Sequence, residues 1–213
     1  TRQRRNTRDE FLISVEQAMI FGEPLKEEEG ESPKWSGVSD TLYKTGGLKY
    51  WIDTDSSSNV LDAGGALSYF DFSDWLAGLT KDHPKNTGTG VKVLIIGGQK
   101  AVASINQWGV GPIQTSPGAS EFGVDIKRIT TPFGDVDLMQ HFLLDGSVYD
   151  NYLFGISPEH MGYRYLKNMD MRLRTGIEQP NAHELADEIY GVIGFYITLP
   201  QLFGYIKNVS MAV

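Results

Sequence analysis

Val93 to Gly109 reads VLIIGGQKAVASINQWG. The β-branched run from Val91 to Ile96 predicts a buried strand, Gly97-Gly98 turns the chain, and Ala101, Val102, Ile105 and Trp108 recur on one helix face. Strand, turn and helix form one compact unit. Upstream, Phe72, Trp75, Leu76 and Leu79 sit at i, i+3, i+4 and i+7 and predict a helix beginning at Asp71, whose carboxylate caps it. Lys81 to Gly90 breaks the pattern. Downstream the period changes to two: Val124 to Thr130, a turn over Thr131 to Asp135, then Val136, Leu138, Gln140, Phe142 and Leu144 on one face of a returning strand.

Further out, Phe11, Leu12, Val15, Ala18 and Met19 predict an amphipathic helix. Thr7 with Glu10 is a candidate capping box, and Gly22 then Pro24 supply a left-handed stop. With the Arg-rich lead-in included, the rod spans about 20 residues and about 30 Å. Lys26 to Lys34, KEEEGESPK, reads as a charged connector. Tyr50 to Ile52 reads as a short aromatic strand and Asp53 to Asn59 as a polar loop. Strands are also expected at Tyr152 to Ile156, Tyr163 to Leu166 and Met169 to Leu173. Helices early and strands late give an α+β class rather than a doubly wound sheet.

The 213 residues are enough to bury about 70% of the unfolded surface. No cysteine is present, which removes disulfides, thiolate chemistry and Cys-ligated zinc. The net charge of −8 argues against a protein that binds by neutralising many phosphates. Local basic clusters remain: Arg2, Arg4, Arg5 and Arg8 at the start, and Lys167, Arg172 and Arg174 later. Ile189 to Ile206 carries no charge over 18 residues, the lower edge of a membrane span. Its Gly, Thr, Pro and Gln interruptions and the alternation of Ile193, Phe195, Ile197 and Leu199 fit two buried strands joined near Pro200 instead.

Three stretches carry part of a chemical pattern. Gly97-Gly98 between strand and helix has the setting of a phosphate-binding turn, but neither the dinucleotide fingerprint nor the P-loop spacing follows. Asp53, Asp55, Ser57 and Asn59 alternate like half a calcium loop, while Ser58 and Gly64 stand where Gly and Glu are needed. His83, His141, His160 and His183 are scattered, and His183-Glu184 has no second histidine at zincin spacing. No catalytic residue, cofactor site or metal set emerges.

Taken in order, these elements resemble the major capsid proteins of tailed bacteriophages, whose shell fold encapsulins share. EQAMIFGE (Glu16 to Glu23) resembles the end of the spine helix, GGLKYWI (Gly46 to Ile52) the strand after it, and Val93 to Gly109 the axial strand and helix. TPFGDVDLMQHFLLD (Thr131 to Asp145) resembles a following hairpin. NYLFGISPEHMGYRYL (Asn151 to Leu166) and EIYGVIGFYITLPQLFGYIKNV (Glu188 to Val209) resemble the closing strands.

The resemblance implies a peripheral domain over 1–60 and again 149–213, with an axial domain over 61–148 between them. The family's N-terminal arm and extended loop have no counterpart here, so the chain reads as truncated at its start. The implied function is structural, not enzymatic: self-assembly into pentamers and hexamers of an icosahedral virion shell enclosing phage or prophage DNA. Scaffolding and portal proteins are the implied partners, DNA contact is weak and non-specific, no membrane or small-molecule substrate is involved, and assembly occurs in the bacterial cytoplasm. An encapsulin-like compartment and a nucleotide-binding enzyme using the Gly97-Gly98 turn are the alternatives. Arg2, Arg5 and Arg8, three apart on a helix, are the expected subunit-contact residues, facing acidic groups on a neighbour.

Overall fold

The computed structural model describes residues 2–24, 44–84, 91–108, 115–117, 127–131, 133–177 and 187–210. In chain order these form α1 (Arg2–Phe21), α2 (Leu48–Asp55), β1 (Val60–Ala66), α3 (Tyr69–Thr80), β2 (Lys92–Gly97), α4 (Gln99–Trp108), β3 (Thr115–Pro117), β4 (Lys127–Thr131), β5 (Gly134–Gln140), β6 (Leu153–Ile156), β7 (Met161–Tyr165), β8 (Arg172–Thr175), β9 (Asp187–Tyr190), β10 (Ile193–Ile197) and β11 (Gly204–Ser210). Two compact units result, Thr1–Trp51 with Met161–Ile197, and Ile52–His160 with Thr198–Val213. One border falls inside α2.

The second unit carries a seven-stranded mixed sheet in the order β1-β11-β6-β2-β5-β4-β3. β1 with β11 and β2 with β5 run parallel, and the remaining neighbours are antiparallel. α3 forms because Phe72, Trp75, Leu76 and Leu79 lay one buried stripe against the sheet. Its cap is Ser68, not Asp71: the Ser68 hydroxyl accepts from the Asp71 amide at 3.1 Å and donates to the Asp71 carboxylate at 2.7 Å. Phe72, Leu76, Ile95, Val136, Leu153 and Ile206 are wholly buried, each contributing about 1.5–3 kcal/mol of transfer energy. The two tryptophans at the core keep their indole donors satisfied, Trp75 on the Asn59 carbonyl at 2.8 Å and Trp108 on the Leu67 carbonyl at 3.0 Å. α4 packs on β5 and β11.

The expected hairpin is β4 with β5, and Arg128 faces Asp137 across it, with both guanidinium-carboxylate bonds made at 2.8 and 3.2 Å. That pairing, first through its hydrogen bonds, holds the Arg128 pKa above its ordinary value. The returning strand ends at Gln140, so Phe142 lies in the turn that follows and is exposed while Leu144 is buried.

The first unit is built from α1, the start of α2, and two antiparallel pairs, β7 with β10 and β8 with β9. α1 extends through the arginines, so Thr7 lies inside the helix rather than capping it. Its stop at Gly22 does not use a left-handed backbone, since the positive-φ residues lie elsewhere. Glycine is needed there for close approach. The Gly47 amide donates to the Gly22 carbonyl at 2.7 Å, and a Cβ on Gly47 would lie 2.6 Å from the Gly22 nitrogen. Beside this crossing, the Thr45 hydroxyl accepts from the Phe195 amide at 3.0 Å.

Three further expectations are corrected. Tyr50 to Ile52 is helical, because Leu48 and Ile52, one turn apart, are both buried and their burial outweighs the strand preference of the aromatics. Asp53 to Asn59 is therefore not a loop but the end of α2 and a 3-10 turn at Ser57–Asn59. The strand expected at Met169 to Leu173 starts at Arg172, where pairing with β9 begins. The uncharged run after Ile189 joins β10 to β11 through a 3-10 turn at Pro200–Leu202, as expected, but the two strands enter different sheets. Lys26 to Lys34 and Val124 to Ile126 lie outside the described residues.

Candidate subunit-contact groove

Arg4, Arg5, Arg8, Phe11 and Leu12 follow one face of α1 and line a groove whose other wall is Met171, Arg172, Leu173 and Ile189. The groove encloses about 430 Å³ and lies within the first unit. Its arginines divide into two sorts. Arg4 pairs with Asp187 of β9 at 2.5 Å, Arg8 with its neighbour Asp9 at 3.1 Å, and Arg174, beside the groove, with Glu188 across the β8–β9 register at 2.7 Å. Among the described residues, Arg5 and Arg172 have no acidic partner, and both are exposed. An unpaired guanidinium above an apolar floor suits a carboxylate-bearing apolar segment, because the fork accepts two oxygens while its weak hydration limits the desolvation cost.

Of the arginines read from sequence, Arg2 is the first residue of α1, and Arg5 and Arg8 reach the groove. Arg4, Arg172 and Leu173 also line the groove, and sequence reasoning did not place them there. Arg172 and Arg174 are visible in the sequence as a basic cluster, yet no local pattern places Arg172 beside α1.

The Gly97-Gly98 turn is filled by the chain's own acids. The Gln99 amide donates to Asp145 at 2.8 Å and the Lys100 amide to Asp150 at 3.2 Å, while the Lys100 ammonium pairs with Asp150 at 3.1 Å. Carboxylates thus occupy the position an incoming phosphate needs. The calcium-like stretch is likewise engaged: Asp53 accepts from Tyr205 at 2.6 Å, and the Asn59 amide donates to the Gln201 and Phe203 carbonyls at 2.8 and 3.0 Å. His83 and His160 come together edge-on at 5.7 Å, and His141 stacks on Phe142 at 5.2 Å. His183 lies outside the described residues. Among the described residues no group of three His, Asp or Glu side chains is placed to hold a metal ion, and no helix is long and apolar enough to cross a membrane.

The model of the SU10 major capsid protein family matches residues 2–209. The chain belongs to the SU10 major capsid protein family. No curated protein matches it. Among solved structures it is similar to the SrpI encapsulin of Synechococcus elongatus, with TM-score 0.52 and 16% identity over 78% of this chain and 57% of that one. It is similar to a Mycobacterium phage Patience structure at TM-score 0.51 and 12% identity, covering 100% of this chain and 66% of that one. It is also similar to a satellite phage P4 procapsid chain at TM-score 0.50 and 10% identity, covering 100% and 62%. The chain therefore spans about three fifths of the length of the structures it matches. Their shared architecture is the shell fold of phage capsids and encapsulins, which agrees with the α+β capsid expectation. An SU10 major capsid protein is a structural component of a virion shell, and the first unit's groove lies on a member of that family.

Proposed function

We propose that this protein is the head subunit of a tailed phage or prophage, self-assembling through pentamers and hexamers into a closed icosahedral shell around DNA. The family match over residues 2–209 carries this reading. In it, the peripheral domain comprises 1–60 and 149–213 and the axial domain 61–148. The compact units, with borders after 51, 160 and 197, put β11 with the axial sheet instead, and a domain-wise shell map would decide between the two divisions. Arg2, Arg5 and Arg8 contact acidic groups of a neighbouring subunit. Scaffolding and portal proteins are the further partners, assembly takes place in the host cytoplasm, and the subunit performs no catalysis. The net charge of −8 keeps packaged DNA mobile against the wall. Individually weak contacts become strong through repetition.

The test is electron microscopy with mass photometry on the full-length protein, expressed alone and with its neighbouring gene products. Closed shells that protect DNA from nuclease are expected. Closed shells filled with a co-purifying enzyme instead would assign the protein to the encapsulin-like alternative. Particles that never exceed a small oligomer across salt concentrations would overturn the shell reading.

A further inference from the structure

The second unit presents a feature that complements the groove. Phe70, at the start of α3, is 83% exposed, and Asp71 and Asp74 beside it are exposed too. Phe70 and Asp74 are four residues apart and so share a helix face. Asp71 gives one carboxylate oxygen to the Ser68 hydroxyl and leaves the other open. A ring of this size buries 150–250 Å² when covered, so leaving it in water forfeits a large apolar gain.

We infer that the groove between α1 and the β8–β9 pair of one copy receives the Phe70 tip of a second copy. This inference rests on the shell reading and names one subunit contact within it. Phe11, Leu12, Leu173 and Ile189 take the ring, while Arg5 and Arg172 take the Asp71 and Asp74 carboxylates. The charges are complementary in a specific way: the two groove cations without an acidic partner among the described residues meet two acids whose neighbour is the exposed ring. Other exposed apolar side chains fit less well. Val148 lies between Asp145 and Asp150, which are already engaged by α4, and Phe142 is stacked on His141. The two surfaces differ, so the contact is heterologous: each copy offers a tip to one neighbour and a groove to another, and rotation closes such a chain into a ring.

These 213 residues carry no cysteine, so introduced cysteines allow a direct test in the full-length protein, with the unsubstituted protein oxidised alongside as the control. Phe70→Cys and Leu173→Cys are made in separate copies, co-assembled and oxidised. Disulfide-linked dimers from the mixed shells, with none from either variant alone, are expected. In parallel, Asp74→Arg and Arg172→Asp each lower the assembled fraction about tenfold at fixed concentration, and the two together restore it. Both positions are exposed, so thermal melting should show each variant folded. Wild-type shells accompanied by unlinked mixed variants and unaffected charge variants would overturn this contact while leaving the shell reading intact. Failure of the wild type to form shells would overturn the shell reading itself, and this contact with it.

Discussion

The Tyr205 hydroxyl donates to Asp53 Oδ1 at 2.6 Å and ties β11 to the end of α2. Burial, and then the bond to the Asp53 carboxylate, push the phenol well above the ordinary tyrosine range near 10. Below pH about 10 both folded and unfolded chains keep the proton, so this group adds no pH dependence. Above it the unfolded chain ionises first and binds fewer protons, so stability falls as pH rises. Tyr205→Phe should cost about 1.5 kcal/mol at neutral pH and flatten that alkaline decline. Urea unfolding at a series of pH values measures both.

Asp62 has the opposite sign. The Asn208 amide donates to it at 2.8 Å, the Gly64 amide at 3.1 Å, and the Lys207 ammonium stands 3.5 Å away. The Asn208 bond above all holds this carboxyl below the usual range. Its contribution is present above the unfolded value near 3.9 and is lost as pH falls through the folded one. Asn208→Ala should move the Asp62 titration upward, read by carboxyl NMR.

Two glycines should respond oppositely to alanine. A Cβ on Gly98 would strike the backbone of Asp150, which cannot swing aside, and Gly98→Ala should cost about 2–3 kcal/mol. Gly78, inside α3, has open space around it, and Gly78→Ala should add about 0.5–1 kcal/mol through helix propensity. Calorimetry of both variants checks the pair.

With Asp145 and Asp150 on the first amides of α4, nucleotides have no anion site there. Millimolar ATP, GTP or NAD should leave the melting temperature unchanged, since only a ligand that prefers the folded state raises it. A rise of several degrees would revive the enzymatic alternative.

Local pattern made much of this fold legible. The 20-residue α1, the strand-turn-helix around Gly97 and the β4–β5 hairpin form where their spacing puts them; the last two bury the expected stripe at Ile95, Ala101, Ile105, Val136 and Leu138, whereas Leu12 and Ala18 of α1 stay exposed. α2 was not legible, because Tyr50 and Trp51 favour strands in isolation and only the packing of Leu48 and Ile52 overrides them. The groove was half legible. The α1 arginines share a helical period, but that Arg4 rather than Arg5 meets Asp187 is set by tertiary packing. No periodicity encodes a pairing between positions so far apart in the chain.

β1 completes the edge of the large sheet by pairing in parallel with β11, and in that pairing Asp62 reaches Asn208, 146 positions later. A ribosome making this chain therefore releases β1 long before its partner strand exists. Until Ser210 has been added and the sheet has closed, the nascent polypeptide lacks the finished second unit. Any step that needs the finished second unit must wait for β11 to leave the ribosome, and translation itself supplies that delay.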